Sequence, residues 1–160
     1  MIVGVDPGAS GGIAMLTNEG EWIAGYRMPT VVLKKRKVID VDQLDDWVNE
    51  NCSPFEGLTI AVEYVTSFGQ GRTSAFNFGR YVGALETFAL QWCAEPELVT
   101  PQVWKKAWNL SKDKREALNL ASVKFPGADV DWSVLANDGI AEAALIALYL
   151  LRKSCLSAED

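Results

Sequence analysis

Histidine is absent from the sequence. Its absence excludes Ser-His-Asp and Cys-His nucleophilic catalysis, and it excludes every metal site that needs an imidazole ligand. If the protein is an enzyme, its proton and metal chemistry must use carboxylates, lysine, tyrosine or cysteine. Carboxylates select hard cations such as Mg²⁺, Mn²⁺ and Ca²⁺. Asp and Glu residues that stand where apolar residues are expected are therefore the first candidates for a functional site.

Cysteine is scarce, and long apolar runs are absent. Cys52, Cys93 and Cys155 are isolated and odd in number, so they fit neither a disulfide framework nor a zinc knuckle and favour a reducing compartment. The longest apolar run near the C-terminus, Ala143–Leu151, is far shorter than a membrane span. The N-terminus lacks the charged stretch and apolar core of a signal peptide. We therefore expect a cytoplasmic protein without a membrane partner.

An overall excess of positive charge is also missing. The 15 basic residues are outnumbered by 21 acidic ones, which gives a net charge of −6 and by itself argues against nucleic acid as a partner. The basic residues are clustered, however. Arg27–Lys37 and Thr100–Arg115 contain five each, and Asp113 is the only acidic residue in either stretch. These local basic patches leave room for an anionic partner.

The 160 residues, of which 49% are hydrophobic and 22% charged, predict one globular domain over residues 1–160. Hydrophobic periodicity predicts its strands and helices. The strands are Ile2–Asp6, Gly12–Thr17, Glu21–Met28, Leu58–Val65 and Glu97–Thr100, and the helices are Val41–Glu50, Arg72–Trp92, Lys112–Phe125 and Asn137–Lys153. We expect Val31–Val38 to be a basic loop. The order predicts an α/β fold with a mixed five-stranded sheet, three antiparallel strands followed by alternating strands and helices, flanked by helices.

The helix Arg72–Trp92 is apolar around almost its whole circumference. Phe76, Phe78 and Leu85 cannot share one face, which indicates a central helix or one at a subunit interface. Gly79 and Gly83 lie one turn apart and would let another backbone approach closely.

Two acidic residues stand where the interiors of predicted strands should be apolar. Asp6 ends the first strand and Glu63 lies within the fourth, and a buried carboxylate is costly unless something pairs with it. Asp6 also fits an ordinary Asp-Pro-Gly turn. Glu63 has Arg72 as its nearby basic candidate partner.

Asp138 and Glu142 form a second acidic pair near the start of the last helix. Their spacing of four residues places both on one face, where like charges repel unless a cation neutralises them. Asp138 alone also fits a helix N-terminal acid favoured by the macrodipole. If the first and fourth strands are neighbours and the last helix crosses their ends, four carboxylates converge. Four negative charges balance two divalent cations, the arrangement of two-metal phosphodiester cleavage.

The sequence resembles RuvC-type Holliday junction resolvases over nearly its whole length, and most closely the short RuvC-like enzymes of phages. The resemblance rests on the order of elements, on Asp6 before a Gly-rich turn, on Glu63 in VEYV and on the terminal helix NDGIAEAALIALYLL. It implies the ribonuclease H-like fold of the retroviral integrase superfamily. It also implies a homodimeric endonuclease that nicks opposing strands of a four-way DNA junction, with the helix Arg72–Trp92 at the dimer interface. The expected location is the cytoplasm of a bacterium, or of the host of a phage.

The resemblance also assigns roles to individual residues. Asp6, Glu63, Asp138 and Glu142 match the family's metal ligands, and they imply two Mg²⁺ ions per site, for which Mn²⁺ would substitute. Bacterial members usually carry two acids three residues apart in the last helix, whereas here the offset is four and Gly139 stands at the third position. Lys105 and Lys114, in TPQVWKKAWNLSKDKREAL, best match the family's catalytic lysines.

A larger set of residues is expected to contact DNA. The set comprises Lys34, Lys35, Arg36, Lys37, Phe68, Arg72, Arg80, Lys105, Lys106, Lys112, Lys114 and Arg115. Any single lysine also fits a solvated basic face, and Phe68 is either a wedge that unstacks bases at the junction centre or a core residue. The stretch Lys34–Lys37 is expected to clamp phosphates, and the glycines behind Asp6 are expected to let a DNA backbone approach.

Three other classes compete with this interpretation. Actin-like phosphate-binding ATPases and sugar kinases also begin with a strand and an Asp-x-Gly turn, but they need a second lobe for which this chain has no room. Another ribonuclease H-like nuclease, acting on an RNA–DNA hybrid or a ribosomal RNA precursor, would share the metal site and differ only in substrate. A non-catalytic binder of branched DNA would leave the repelling carboxylates unexplained.

Overall fold

Seven strands and five α-helices make up the computed structural model, which describes residues 1–52, 57–64, 71–93 and 95–157, with the side chains of 155–157 excepted. The strands are β1 (Ile2–Asp6), β2 (Gly12–Leu16), β3 (Trp22–Arg27), β4 (Thr30–Leu33), β5 (Arg36–Ile39), β6 (Thr59–Glu63) and β7 (Glu97–Val99). The helices are α1 (Val41–Asn51), α2 (Arg72–Trp92), α3 (Pro101–Ala107), α4 (Lys114–Lys124) and α5 (Asp138–Ser157).

Five of the strands form one mixed sheet in the order β3-β2-β1-β6-β7. The first three strands are antiparallel, and β6 and β7 run parallel to β1. The prediction of a mixed five-stranded sheet is therefore confirmed. The register pairs Asp6 with Gly12 and Gly12 with Arg27, and the parallel pairing of β1 with β6 brings Glu63 to the same edge. We call this edge, where Asp6 and Glu63 end their strands, the carboxylate edge.

Successive side chains of each strand point to opposite faces of the sheet, so each strand contributes to two separate hydrophobic cores. On one face Ile2 and Ala61 pack against Trp104 of α3 and against α4 and α5. On the other face Val3 and Ile60 pack against α1 and α2. Because β1 and β6 are covered on both sides, they are apolar at almost every position, as buried parallel strands require.

Helix α5 lies directly on the sheet, and glycines make this approach possible. A Cβ on Gly4 would stand 2.0 Å from the Ala143 carbonyl oxygen, and one on Gly139 would stand 2.4 Å from the carbonyl carbon of Gly11. A Cβ on Gly12 would meet the backbone nitrogen of Ile140 at 2.6 Å. The expectation that these glycines admit a DNA backbone is therefore wrong for Gly12, where α5 occupies that space, and for Gly11, where a Cβ would stand 2.0 Å from the Asp6 carbonyl oxygen.

The segment Val31–Val38 is a β-hairpin, so the prediction of a loop is wrong. Strands β4 and β5 pair antiparallel as a separate two-stranded sheet, with Leu33 opposite Arg36. The two turn residues between them, Lys34 and Lys35, have φ angles of 48° and 66°. Such a turn usually carries Asn-Gly, and the sequence TVVLKKRKVI lacks that signal.

The third helical region differs from the prediction of one helix over Lys112–Phe125. Helix α3 begins at Pro101, which at the first helical position gives up no hydrogen bond. Helix α4 begins only at Lys114, because the Asp113 side chain accepts a hydrogen bond from the Arg115 amide and caps it. The basic stretch is thus divided between two helices and the turn that joins them.

Helix α2 spans Arg72–Trp92 as predicted, but it is not buried all round. Its second half supplies the buried Leu85 and Phe88, whereas Phe76 is 62% exposed and Leu90 is 57% exposed. In the described part of the chain, no helix combines the length and the apolar composition that a membrane crossing requires.

Candidate active site

Three carboxylates meet at the carboxylate edge. Asp6 ends β1, Glu63 ends β6, and Glu142 reaches the same point from the second turn of α5. One carboxylate oxygen from each lies within 4.8 Å of the others. Two strand ends and one helix thus bring together side chains that stand far apart in the sequence.

Burial and mutual repulsion act together on Asp6. Desolvation is the largest cause that raises the pKa of its carboxyl group well above the ordinary value, and the nearby charges of Glu63, Glu142 and Asp138 raise it further. Lys105 acts in the opposite direction. A carboxyl group in these surroundings is costly to ionise unless a positive charge lies close to it, so the site favours a bound cation.

Glu63 is buried and holds one direct hydrogen bond. Trp104 donates its indole N–H to Glu63 Oε1 at 2.8 Å, and Trp104 is itself fully buried. Desolvation raises the pKa of Glu63 to about 6, although the hydrogen bond from Trp104 lowers it. The expected partner of Glu63, Arg72, is exposed and forms no ion pair with it among the described residues. The indole donor was not predicted, because a buried carboxylate is expected to pair with a charged group.

Two lysines are paired with the carboxylates of α5. Lys105 Nζ lies 2.6 Å from Glu142 Oε1, and it also stands 4.9 Å from the centre of the Trp104 ring. Lys114 Nζ forms an ion pair with Asp138 Oδ2, and this contact raises the pKa of the Lys114 ammonium group. Both lysines that the sequence indicated therefore point, from α3 and α4, at one group of carboxylates. We call this group the acidic centre, and it consists of Asp6, Glu63 and Glu142 with the neighbouring Asp138.

Asp138 stands beside the three-carboxylate group rather than in it. Its side chain is buried at the start of α5, and its charge acts on Asp6, but its oxygens are not among those that meet within 4.8 Å. The preceding residue, Asn137, accepts a hydrogen bond from Arg27 Nε at 2.8 Å. Arg27 and Asn137 thereby tie the end of β3 to the start of α5.

The donor set fits a divalent cation. Asp6, Glu63 and Glu142 offer hard oxygen ligands at a spacing that one ion can bridge. Burial, and after it repulsion between these carboxylates, raises the pKa values of Asp6 and Glu63, and a bound cation would offset both effects. These residues would hold the metal.

The remaining candidate DNA-binding residues lie on opposite sides of the sheet. Lys106, Lys112 and Arg115 are exposed on the side of α3 and α4. Lys106 and Lys112 line an open groove there, of about 730 Å³, which Lys105 also lines. The hairpin residues, with Arg72 and Arg80, are exposed on the side of α2. Phe68 lies outside the described residues.

No protein-family model and no curated protein sequence matches this chain. Among solved structures, the chain is similar to T. thermophilus RuvC in complex with a Holliday junction substrate, with a TM-score of 0.62 and 19% sequence identity. The similarity covers 92% of this chain and 89% of that one. It establishes that this chain has the ribonuclease H-like fold of RuvC, and function must be argued from the site.

Proposed function

We propose that the protein is a RuvC-like, structure-specific DNA endonuclease that resolves four-way junctions and related branched DNA by hydrolysing phosphodiester bonds. The observation that carries the proposal is the meeting of Asp6, Glu63 and Glu142 at the carboxylate edge, with Lys105 and Lys114 beside them. T. thermophilus RuvC shares the fold and was solved with a Holliday junction substrate, which supports the choice of substrate.

In the proposed enzyme, Asp6, Glu63, Asp138 and Glu142 hold two Mg²⁺ ions, for which Mn²⁺ substitutes. Such ions, when bound, supply an activated water and neutralise charge on the leaving oxygen. The protein's own contribution is positional. Trp104 fixes Glu63 through its indole N–H, while the strand ends of β1 and β6 hold the carboxylates of Asp6 and Glu63 in place.

Lys105 and Lys114 steady the scissile phosphate in this proposal. Each ammonium group now donates to a carboxylate of α5, and a phosphate oxygen is an equivalent acceptor for the same charge-assisted hydrogen bond. The neighbouring Lys106, Lys112 and Arg115 are exposed on the same side. They provide phosphate contacts that position the DNA without reading its sequence.

Homodimerisation through α2 is part of the proposal, because resolving a junction requires two nicks in opposing strands. The exposed Leu90 of α2 is an apolar group available for such a contact. Gly79 and Gly83 would meet no described atom within 4 Å if they carried a Cβ, so a second backbone has room to approach. We also propose a single nuclease domain over 1–160, of the short phage type and cytoplasmic.

Cleavage of defined substrates tests the proposal. The protein is incubated with end-labelled four-way junction, linear duplex and RNA–DNA hybrid, in Mg²⁺ and in EDTA. We expect paired, symmetric nicks near the junction centre that disappear in EDTA. Cleavage of the hybrid alone would contradict the choice of substrate and make the protein a ribonuclease. Junction binding without cleavage under Mg²⁺ or Mn²⁺ would contradict the enzymatic role.

A further inference from the structure

The basic residues near the hairpin form a surface of their own. Six cations lie on the hairpin and on the first half of α2, namely Lys34, Lys35, Arg36, Lys37, Arg72 and Arg80. None of them takes part in an ion pair within the described residues. In a protein with a net charge of −6, uncompensated cations gathered on one face concentrate positive potential there. We call this set the hairpin surface.

A groove runs between the hairpin and α2. It has a volume of about 360 Å³ and is lined by seven residues: Lys35, Arg36 and Lys37 from the hairpin, and Thr73, Phe76, Asn77 and Tyr81 from α2. No acidic residue lines it. The three cations, the Thr73 hydroxyl and the Asn77 amide are groups of the kind that bind phosphate oxygens in nucleic-acid complexes, and Phe76 adds an apolar ring to the same groove.

The hairpin is held against the body of the protein at its base. The Asp40 amide donates to the Pro29 carbonyl oxygen at 3.0 Å, and Ile39 is buried in the core beneath α1 and α2. Tyr81 of α2 donates its hydroxyl to the Lys37 carbonyl oxygen at 3.3 Å. The cations of β5 are therefore carried by a fixed element.

The backbone of the hairpin turn is strained, and this strain favours a functional role for the charged side chains of the turn. Lys34 and Lys35 both adopt left-handed backbone conformations, which cost non-glycine residues free energy. Asn-Gly would form the same turn with less strain. Two exposed lysines at these positions gain nothing from packing, so their charge is the property that distinguishes them from better turn formers.

The hairpin surface and the carboxylates stand next to the same edge of the sheet. β3 ends at Arg27, which pairs with Gly12 beside Asp6, and the hairpin follows at once. The hairpin, which forms one wall of the groove, thus leaves the sheet at the carboxylate edge, so one extended polyanion could reach both places.

We propose that the hairpin surface binds the phosphate backbone of a DNA arm, outside the scissile site and on the side of the sheet opposite Lys105 and Lys114. This inference rests on the proposed function for the identity of the nucleic acid. It adds a second contact surface, built on the side of α2 rather than that of α5. Such a surface would let the protein hold a branch while another strand lies on the carboxylates.

Salt-dependent DNA binding tests the inference. Binding of a fluorescent four-way junction to the full chain is measured by anisotropy in EDTA between about 50 and 200 mM salt, the range over which phosphate contacts are lost. Arg36→Gln/Lys37→Gln removes two charges outside the turn. We expect weaker binding, and a plot of log affinity against log salt that is shallower by about 1.8, since each lost phosphate contact lowers the slope by about 0.9.

A second variant separates charge from folding. Lys34→Asn/Lys35→Gly gives the turn its preferred residues, so its thermal midpoint should equal or exceed that of the wild type while DNA binding weakens. The matched control is Lys124→Gln/Arg152→Gln, which removes two cations that stack on Trp108, 5.5 Å and 5.7 Å from its ring. The control should retain the slope of the wild type.

Several outcomes would overturn the inference. Wild-type slopes in both hairpin variants, or an equal loss in the control, would show that the hairpin surface does not bind DNA. A change from dimer to monomer in the hairpin variants, seen by light scattering, would make the surface an interface between copies of the chain. Salt-dependent binding through the hairpin without junction cleavage would refute the proposed function and support this inference. Junction cleavage together with wild-type DNA binding in the hairpin variants would support the proposed function and refute this inference.

Discussion

The molecule has two basic regions, and they differ in what their cations contact. On the side of α3 and α4, Lys105 and Lys114 are engaged with Glu142 and Asp138. On the side of α2, the cations of the hairpin surface form no ion pair within the described residues. Charge held against carboxylates is fixed at the acidic centre, while unpaired exposed charge is available for long-range attraction of an anion. We infer that the first region serves chemistry and the second serves binding.

Removing a carboxylate from the acidic centre should have the largest effect and should separate chemistry from binding. Asp6→Asn keeps the shape of the side chain but deletes a charge that bound cations require, so we expect junction cleavage to fall by about 10³-fold, which corresponds to about 4 kcal/mol. Junction binding in EDTA should be unchanged or tighter, because a negative charge has been removed. Gel assays measure cleavage of the junction, and fluorescence anisotropy measures its binding.

Asp129→Asn is the matched control for that experiment. Asp129 accepts a hydrogen bond from the Trp22 indole at 3.1 Å, a role that Asn can also fill, and it lies outside the acidic centre. Full cleavage by Asp6→Asn in Mg²⁺ would contradict the assignment of Asp6 to that centre.

Lysine substitutions sharpen the comparison between the two basic regions. Lys105→Met and Lys114→Met should each lower the single-turnover cleavage rate at saturating DNA by about 10²-fold, the scale of one lost electrostatic contact to developing charge. Affinity for the junction should change much less. Lys124→Met, which loses an exposed cation over Trp108, should cleave at the wild-type rate. If the lysine variants lost only affinity, the two regions would not differ in role.

The pH dependence of stability tests the burial of Glu63. Its folded-state pKa of about 6 lies above the ordinary value of 4.5, so the folded protein binds this proton more tightly than the unfolded chain does. The contribution of Glu63 is therefore most favourable below pH 4.5 and is lost as pH rises through 6, with a total change of about 2 kcal/mol. Urea unfolding in EDTA at several pH values measures it.

The comparison protein for that measurement is Glu63→Gln, whose amide oxygen can still accept from Trp104. The free energy of unfolding of the wild type, minus that of the variant, should fall as pH rises from 4.5 to 7. A difference that stayed constant over this range would show that Glu63 is not held in a desolvated site.

Trp104→Phe should have the smallest effect of the series. It keeps an aromatic ring in the core but leaves Glu63 without its indole donor, so we expect affinity for Mn²⁺ to fall by about tenfold, as for other groups that orient metal ligands. Calorimetric titration measures it. Trp108→Phe is the control, because it deletes a similar bond, from the Trp108 indole to the Leu145 carbonyl oxygen at 3.0 Å. Equal losses of Mn²⁺ affinity in Trp104→Phe and Trp108→Phe would show that Trp104 contributes only by packing.

The sequence contained most of the fold because burial leaves a strong pattern. β1 and α2 have their predicted boundaries, since continuous apolar runs and helical periodicity are local properties. The hairpin was missed because Lys34 and Lys35 are unusual residues for its turn. Helix α3 was missed because it is only seven residues long, too short for a periodic pattern to develop.

The acidic centre was predictable only in part. Asp6 and Glu63 were recognisable as charged residues in apolar strands, and the spacing of Asp138 and Glu142 placed them on one face. Which of them meet depends on how closely α5 approaches the sheet, and Gly139 packed on Gly11 sets that distance. The role of Trp104 depends on a contact between residues 41 positions apart, which no local pattern reveals.

Binding of Mn²⁺ to the purified protein, measured by calorimetric titration without DNA, tests the central claim most directly. The account predicts saturable binding that is lost in Asp6→Asn and preserved in Asp129→Asn and in Lys124→Gln/Arg152→Gln. Saturable binding of equal strength in Asp6→Asn, or none in the wild type, would contradict the claim that the carboxylates at this edge form a metal centre.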